Sequence, residues 1–256
     1  MQLSFDKGAV IVAGGTGGIG AAICRRFAEA GHPIIATYHR SEDKARALTA
    51  EIAAAGGSCE CIRVDLAQAG EVEGLFAAAR ERHPRVAHIV YAAGPHFEFN
   101  FIGEIPDDDW HRVVDADVNG AFHLIQGAVR TFREQGGGNL VAVITSAVQR
   151  VPVRDIMSAA PKAAIEMLIR GVARESGRFG IRANCVGPGW INAGLGKQAL
   201  DEKLDEQARQ KILRQVIPLQ RFGEADDIAW ATLFLCSQQA GFITGQSLAV
   251  DGGAQI

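Results

Sequence analysis

Short apolar runs alternate with stretches whose apolar positions recur every three or four residues, and this beat continues along the whole chain. Residues 9–13 form an apolar run that ends in glycines, and 19–30 follows with helical spacing. The same pattern predicts strands over 34–38, 59–64, 86–92, 139–145, 181–186 and 247–250. Between them it predicts helices over 41–55, 69–82, 107–135, 158–177 and 226–236. Runs such as Val86-Ala87-His88-Ile89-Val90 are nearly continuous in apolar character, as strands covered on both faces are. The expectation is an α/β fold with a doubly wound, seven-stranded parallel sheet and helices on both faces. No linker, repeat or low-complexity tract interrupts the pattern, so one domain over 1–256 is expected.

Composition narrows the partners. Hydrophobic residues make up 48% and charged residues 21% of the chain, enough to bury a large core. The formal net charge is -3, and Lys and Arg are scattered without a basic stripe, so nucleic acid is not expected. The stretch 1–8 contains Asp6 and lacks a long apolar segment, which argues against a signal peptide. No uninterrupted apolar run reaches the roughly 18 residues of a membrane helix. Five cysteines, an odd number, suit free thiols in the cytoplasm. Cys59-x-Cys61 has the wrong spacing for a zinc site and reads as alternation along a strand, so no metal is expected.

Chemistry enters with Gly14-Gly15-Thr16-Gly17-Gly18-Ile19-Gly20, which follows the first strand and opens the first helix. Glycines there let the backbone approach a pyrophosphate, whose charge meets the free N–H groups of the helix start. The end of the second strand then selects between the two nicotinamide dinucleotides. An acidic residue there would bind the ribose hydroxyls, whereas this chain reads Tyr38-His39-Arg40-Ser41. Arg40 offers a phosphate fork and Ser41 a hydroxyl with a helix-start amide, so NADP(H) is the expected cofactor.

These residues resemble the classical short-chain dehydrogenase/reductase family across nearly the whole chain, which implies a single Rossmann-type domain. Ala13-Gly14-x-x-x-Gly18-Ile19-Gly20 is similar to the family's cofactor loop, and His39-Arg40-Ser41 to the 2′-phosphate site of its pteridine reductases. The resemblance gives Asp65-Leu66 an adenine contact and Tyr91-Ala92-Ala93-Gly94 the place of the usual Asn-Asn-Ala-Gly. It makes Asn119 the structural and proton-relay asparagine, Ser146 the substrate-orienting serine and Lys162 the ribose-binding lysine. Pro188-Gly189-Trp190-Ile191 corresponds to the segment flanking the nicotinamide, with Ala193 replacing a common threonine, and Asp251-Gly252-Gly253 closes the chain in the family manner.

The departures gather at the chemistry. Ser158 stands four positions before Lys162, where the family carries its catalytic tyrosine. The sequence has two tyrosines, Tyr38 and Tyr91, both far upstream. Asp155 lies seven before Lys162, where some enoyl reductases of this fold place their tyrosine. The pair Ser158 and Lys162 resembles 2,4-dienoyl-CoA reductases, although the loop tyrosine of that subgroup has Ala147 as its counterpart here. A serine hydroxyl does not ionise near neutrality, so Ser158 reads either as a substrate hydrogen-bond partner or as a helix N-cap. Two solutions remain open: proton donation by Lys162 or a water it holds, or reduction of a conjugated alkene. In the second, Ser146 and Ser158 support an enolate and the proton comes from Asp155 or solvent.

The expected function is an NADP(H)-dependent reductase of a carbonyl or conjugated enone, on a small apolar or acyl-thioester substrate. The alternatives are a non-redox enzyme of the same fold (isomerase, dehydratase or cyclase) and a catalytically silent cofactor-binding protein. Residues 190–223 read as a substrate lid, with a charged amphipathic helix over 201–212. Phe97, Phe99 and Phe101 either line an apolar pocket or pack their own loop, and His96 and His111 flank the pocket mouth. The resemblance implies a homotetramer, with a dimer as the alternative, built partly on the helices over 107–135 and 158–177.

Overall fold

The strand from Ala9 to Ala13 (β1) is buried along its whole length, and successive side chains enter opposite cores. The computed structural model describes residues 3–256; Met1 and Gln2, the first residues of the expected N-terminal stretch and domain, lie outside the described residues. After β1 come α1 (Gly18–Glu29), β2 (Ile34–Tyr38), α2 (Glu42–Ala54), β3 (Cys59–Arg63), α3 (Ala69–Arg82) and β4 (Val86–Tyr91). Then follow α4 (Asp107–Val114), α5 (Gly120–Glu134), β5 (Gly138–Val143), α6 (Ile156–Ser176) and β6 (Ile181–Pro188). The chain finishes with α7 (Gly194–Lys203), α8 (Glu206–Gln215), α9 (Ala225–Cys236) and β7 (Ser247–Val250). All strand pairs are parallel, in the order β3-β2-β1-β4-β5-β6-β7.

Alternation along β1 shows how the layers are glued. Ala9, Ile11 and Ala13 join a core with Leu75 and Phe76 of α3, Leu124 and Phe132 of α5, and Ile165 and Ile169 of α6. Val10 and Val12 join a second core with Ile23 and Phe27 of α1, Leu48 and Ile52 of α2, and Ile228 and Leu233 of α9.

Two expected elements differ from the pattern. The helix over 107–135 is interrupted by a π-helical turn at Asp115–Asn119, between α4 and α5. The helix over 201–212 is instead two helices, because Asp205 accepts a hydrogen bond from the Ala208 N–H and caps α8.

Register fixes where the site lies. Ala13 pairs with Tyr91, Tyr91 with Ala142, Val143 with Val186 and Pro188 with Val250. The loops that leave β1, β4, β5 and β6 therefore emerge together at the C-terminal edge. Between β1 and β4 the strand order reverses, which opens the crevice where this sheet type binds ligands. At the opposite end, fully buried His88 stacks on Phe27 and accepts from Asn139 Nδ2 at 3.1 Å.

Candidate active site

The glycine segment turns from β1 into α1 with Gly14 at φ +74°, a left-handed conformation that favours glycine. The Gly14 N–H donates to Thr37 Oγ1 at 3.1 Å, and the Gly17 N–H donates to the Gly14 carbonyl at 3.0 Å. A Cβ on Gly18 would overlap the amide nitrogen of Gly194, so the start of α7 sits directly on the start of α1. Neither helix start has a side-chain cap. Two sets of free N–H groups thus converge, an arrangement suited to a diphosphate. Thr16 and Gly18 line a groove of about 630 Å³ there, while Ile19 is half-buried against the second core.

At the end of β2, Arg40 is exposed and its guanidinium has no partner among the described residues. Ser41 is the N-cap residue of α2, yet its hydroxyl makes no capping bond. His39 Nε2 lies 3.9 Å from Asp65 Oδ2. Asp65 Oδ1 accepts from the Ala67 N–H at 3.1 Å, and Leu66 is buried beneath the start of α5. The end of β2 thus carries a guanidinium and a hydroxyl that the described residues leave unused.

Lys162 is the centre of the next cluster. Its Nζ donates to Asp117 Oδ1 at 2.7 Å and to the Ala93 carbonyl at 2.9 Å, and lies 4.9 Å above the Tyr91 ring. The Tyr91 hydroxyl donates to Asp117 Oδ1 at 2.6 Å, and burial followed by the Asp117 charge pushes the phenol well above its ordinary pKa. All three side chains are buried. Ala92 and exposed Gly94 carry the backbone past them, with the Cβ position of Gly94 3.6 Å from Lys162 Nζ.

Asn119 is not part of this cluster. Its Nδ2 donates to Asp115 Oδ1 at 2.7 Å on the exposed side of the helix, and the side chain of this turn that meets Lys162 is Asp117. Periodicity carried the signal: Asp117, Ala121, Leu124 and Ala128 form one buried stripe, and Asn119 falls off it. Ser158 is likewise not an N-cap. The cap position of α6 is Asp155, and Ser158 lies in the first turn, its N–H donating to the Asp155 carbonyl at 3.1 Å. Capping of the turn after β5 falls to Thr145, which accepts from the Ala147 N–H at 3.2 Å. The hydroxyls of Ser146 and Ser158 consequently have no hydrogen-bond partner among the described residues.

Asp155 has the same freedom. Its carboxyl makes no capping bond, and burial raises its pKa to about 7. At the end of β6, Pro188 pairs with Val250 and Gly189 follows it against the C-terminal turn, where a Cβ on Gly189 would approach Asp251 Cβ to 2.6 Å. Ile191 turns its side chain into the second core and bridges to Gly223, which leaves its backbone for the crevice. Phe97 and Phe99 meet edge to face at 5.4 Å and Phe101 lies 4.3 Å beneath the Arg154 guanidinium, so these rings pack with their own neighbourhood.

Sequence comparison places this doubly wound sheet and its crevice among the short-chain oxidoreductases. Residues 13–255 match the family model described as enoyl-(acyl carrier protein) reductase. The chain is 36% identical over 257 residues to the L-rhamnose 1-dehydrogenase (NAD(P)(+)) of Azotobacter vinelandii, covering 98% of each. It is 30% identical to the acetoacetyl-CoA reductase of a Synechocystis species, again over 98% of each chain. A short-chain type dehydrogenase/reductase from Mycobacterium ulcerans superposes with a TM-score of 0.92 at 28% identity, over 99% of this chain and 91% of that one. The chain belongs to the classical short-chain dehydrogenase/reductase family.

Proposed function

We propose that this chain is an NADP(H)-dependent reductase of a conjugated enone, an enoyl thioester or a related carbonyl, with Ser158 in the slot of the family's usual tyrosine. The observation that carries this reading is the Lys162–Asp117–Tyr91 cluster. The phenol nearest the lysine is fully buried and committed to Asp117, so it does not reach a substrate. Lys162 is spent on Asp117 and Ala93, which makes it a clamp rather than a mobile acid.

Such a site suits a reaction whose negative charge is delocalised. An enolate takes hydrogen bonds from the free hydroxyls of Ser146 and Ser158, whereas a localised alkoxide needs immediate protonation. The nicotinamide, when bound, supplies the hydride. Gly14, Thr16, Gly18 and Ile19 would hold its diphosphate, and His39, Arg40 and Ser41 the 2′-phosphate. Asp65 and Leu66 would take the adenine side, and Ala92, Gly94, Lys162, Pro188, Gly189 and Ile191 the nicotinamide side. The names of the acetoacetyl-CoA and enoyl reductase relatives support an acyl-thioester substrate.

The segment 190–223 acts as a lid in this reading, and we place the enzyme in the cytoplasm as a homotetramer. Exposed Phe122 on α5 and Met167 on α6 supply an apolar face for that assembly, and sedimentation at micromolar concentration checks it. Calorimetry with NADPH and NADH, combined with absorbance assays on enones, enoyl thioesters and ketones, tests the function. The expected result is at least about tenfold tighter NADPH binding, lost in Arg40→Ala, because a phosphate contact of about 1.4 kcal/mol is a factor of ten. Equal affinity for the two cofactors overturns the NADP assignment, and absent turnover across the panel overturns the reductase.

A further inference from the structure

We propose that Asp155 is the proton donor of this site, resting on the reductase reading above. Asp155, Ser158 and Lys162 are spaced i, i+3 and i+7 at the start of α6, so they share one face of the helix. Lys162 on that face reaches Ala93 and Asp117, which orients the ridge towards the crevice between β1 and β4. Asp155 lies about 10 Å further out along the axis at 1.5 Å per residue, beyond Ser158 and at the C-terminal edge of the sheet. A substrate lying across Ser158 therefore meets a carboxyl on its outer side.

The environment of Asp155 gives no structural use for that carboxyl. It occupies the N-cap position of α6 without making the cap bond, and it has no ion-pair or hydrogen-bond partner among the described residues. A half-buried carboxyl without partners is destabilising, and such groups persist where they serve chemistry. The charged neighbours are committed elsewhere. On α4, Arg112 holds Asp109 and the His96 carbonyl, with Asp107, Asp108 and His111 exposed around it. In the π turn, Asp115 holds Asn119 and Asp117 holds Lys162. Further along α6, Glu166 binds Arg170 and Ser247. On the preceding loop, Arg154 covers Phe101, and Arg150 lines a separate cavity with Arg214 and Ile256. Burial is the cause of the raised Asp155 pKa, and none of these charges contributes to it.

The reduced nicotinamide, when bound, would supply the hydride that forms a C–H bond at the substrate β-carbon and would itself become oxidised. The alkene electron pair moves onto the carbonyl oxygen, giving an enolate held by Ser146 and Ser158. The Asp155 carboxyl O–H then breaks, its proton bonds to the α-carbon as the enolate electrons return, and the carboxylate is reprotonated from water.

Asp155→Asn and Asp155→Glu in the full-length chain test this. With the enone or enoyl thioester that the unaltered enzyme reduces best, Asp155→Asn should lower kcat at least about a hundredfold. Its NADPH affinity should stay within about twofold, because the residue touches no part of the cofactor site. The unaltered enzyme should lose kcat as pH rises above about 7, and Asp155→Asn should show no such limb. Asp155→Glu should restore part of the rate with a displaced pH midpoint. A readout independent of activity is the melting temperature without cofactor: Asp155→Asn should melt higher than the unaltered protein, by a margin that grows from pH 5 to pH 8. Unchanged kcat and pH profile in Asp155→Asn overturns the proposal alone. No turnover by the unaltered enzyme with any member of the panel overturns the reductase reading and this proposal together.

Discussion

Asp117 and Lys162 meet in a buried contact of 2.7 Å, each the other's ion-pair partner. Removing one strands the other, which typically costs about 3–5 kcal/mol. Asp117→Ala is therefore expected to lower unfolding free energy by about that amount in urea titrations. Tyr91→Phe, which removes one hydrogen bond to the carboxylate, should cost about 1.5–3 kcal/mol. An unchanged urea midpoint in Asp117→Ala would show that the pair contributes nothing. Lys162 and the serine four residues before it could be read from the sequence because spacing along one helix is visible in a linear string. It did not reveal that Asp117, and not Asn119, faces the lysine, because that depends on which side of a π turn each residue lies. Nor did it show that Asp155 occupies the cap position of α6 while Ser158 sits inside the first turn, since serine at a helix start satisfies either position.

At the scale of elements, strands were legible to within a residue or two because both faces are buried and the apolar runs are continuous. The segment 190–223 was less legible, since its exposed helices carry little apolar signal. Asp201 of α7 pairs with Lys197 at 2.7 Å and with Arg209 of α8 at 2.6 Å, and Arg209 also donates to the Leu200 carbonyl at 2.7 Å. Arg209 thus ties the two helices into one unit whose start lies on Gly18. Arg209→Ala is expected to speed amide hydrogen exchange across α7 and α8 and to raise the NADPH dissociation constant several-fold, leaving exchange in β1 and β4 unchanged. Identical exchange in α7 would show that the tie is not what holds the segment.

At the scale of the whole molecule, a buried histidine and a half-buried aspartate pull stability in opposite directions with pH. Burial lowers the His88 pKa from 6.5 to about 3, so the unfolded chain binds the extra proton first. Stability is then complete above about pH 6.5 and falls towards pH 3, by up to about 1.4 kcal/mol per pH unit. Asp155 has the reverse sign, because its raised pKa means ionisation favours the unfolded chain between about pH 3.8 and 7. Urea midpoints measured from pH 7 to pH 5 should decline less steeply in His88→Leu than in the unaltered protein. A parallel slope would show that His88 is not the group responsible. The histidine sits at one end of the sheet and the aspartate at the other, so the fold's acid tolerance and its chemistry are set independently.

The π turn between α4 and α5 carries a consequence for how such a centre arises. A wide turn holds one residue more than its α neighbours, and single-residue insertions into an existing helix create such turns. Deleting Val118 would let the segment rewind as an ordinary helix, swinging Asp117 by about 100° away from the lysine at 3.6 residues per turn. The clamp on Lys162 therefore depends on the extra residue of the wide turn as much as on the carboxylate itself.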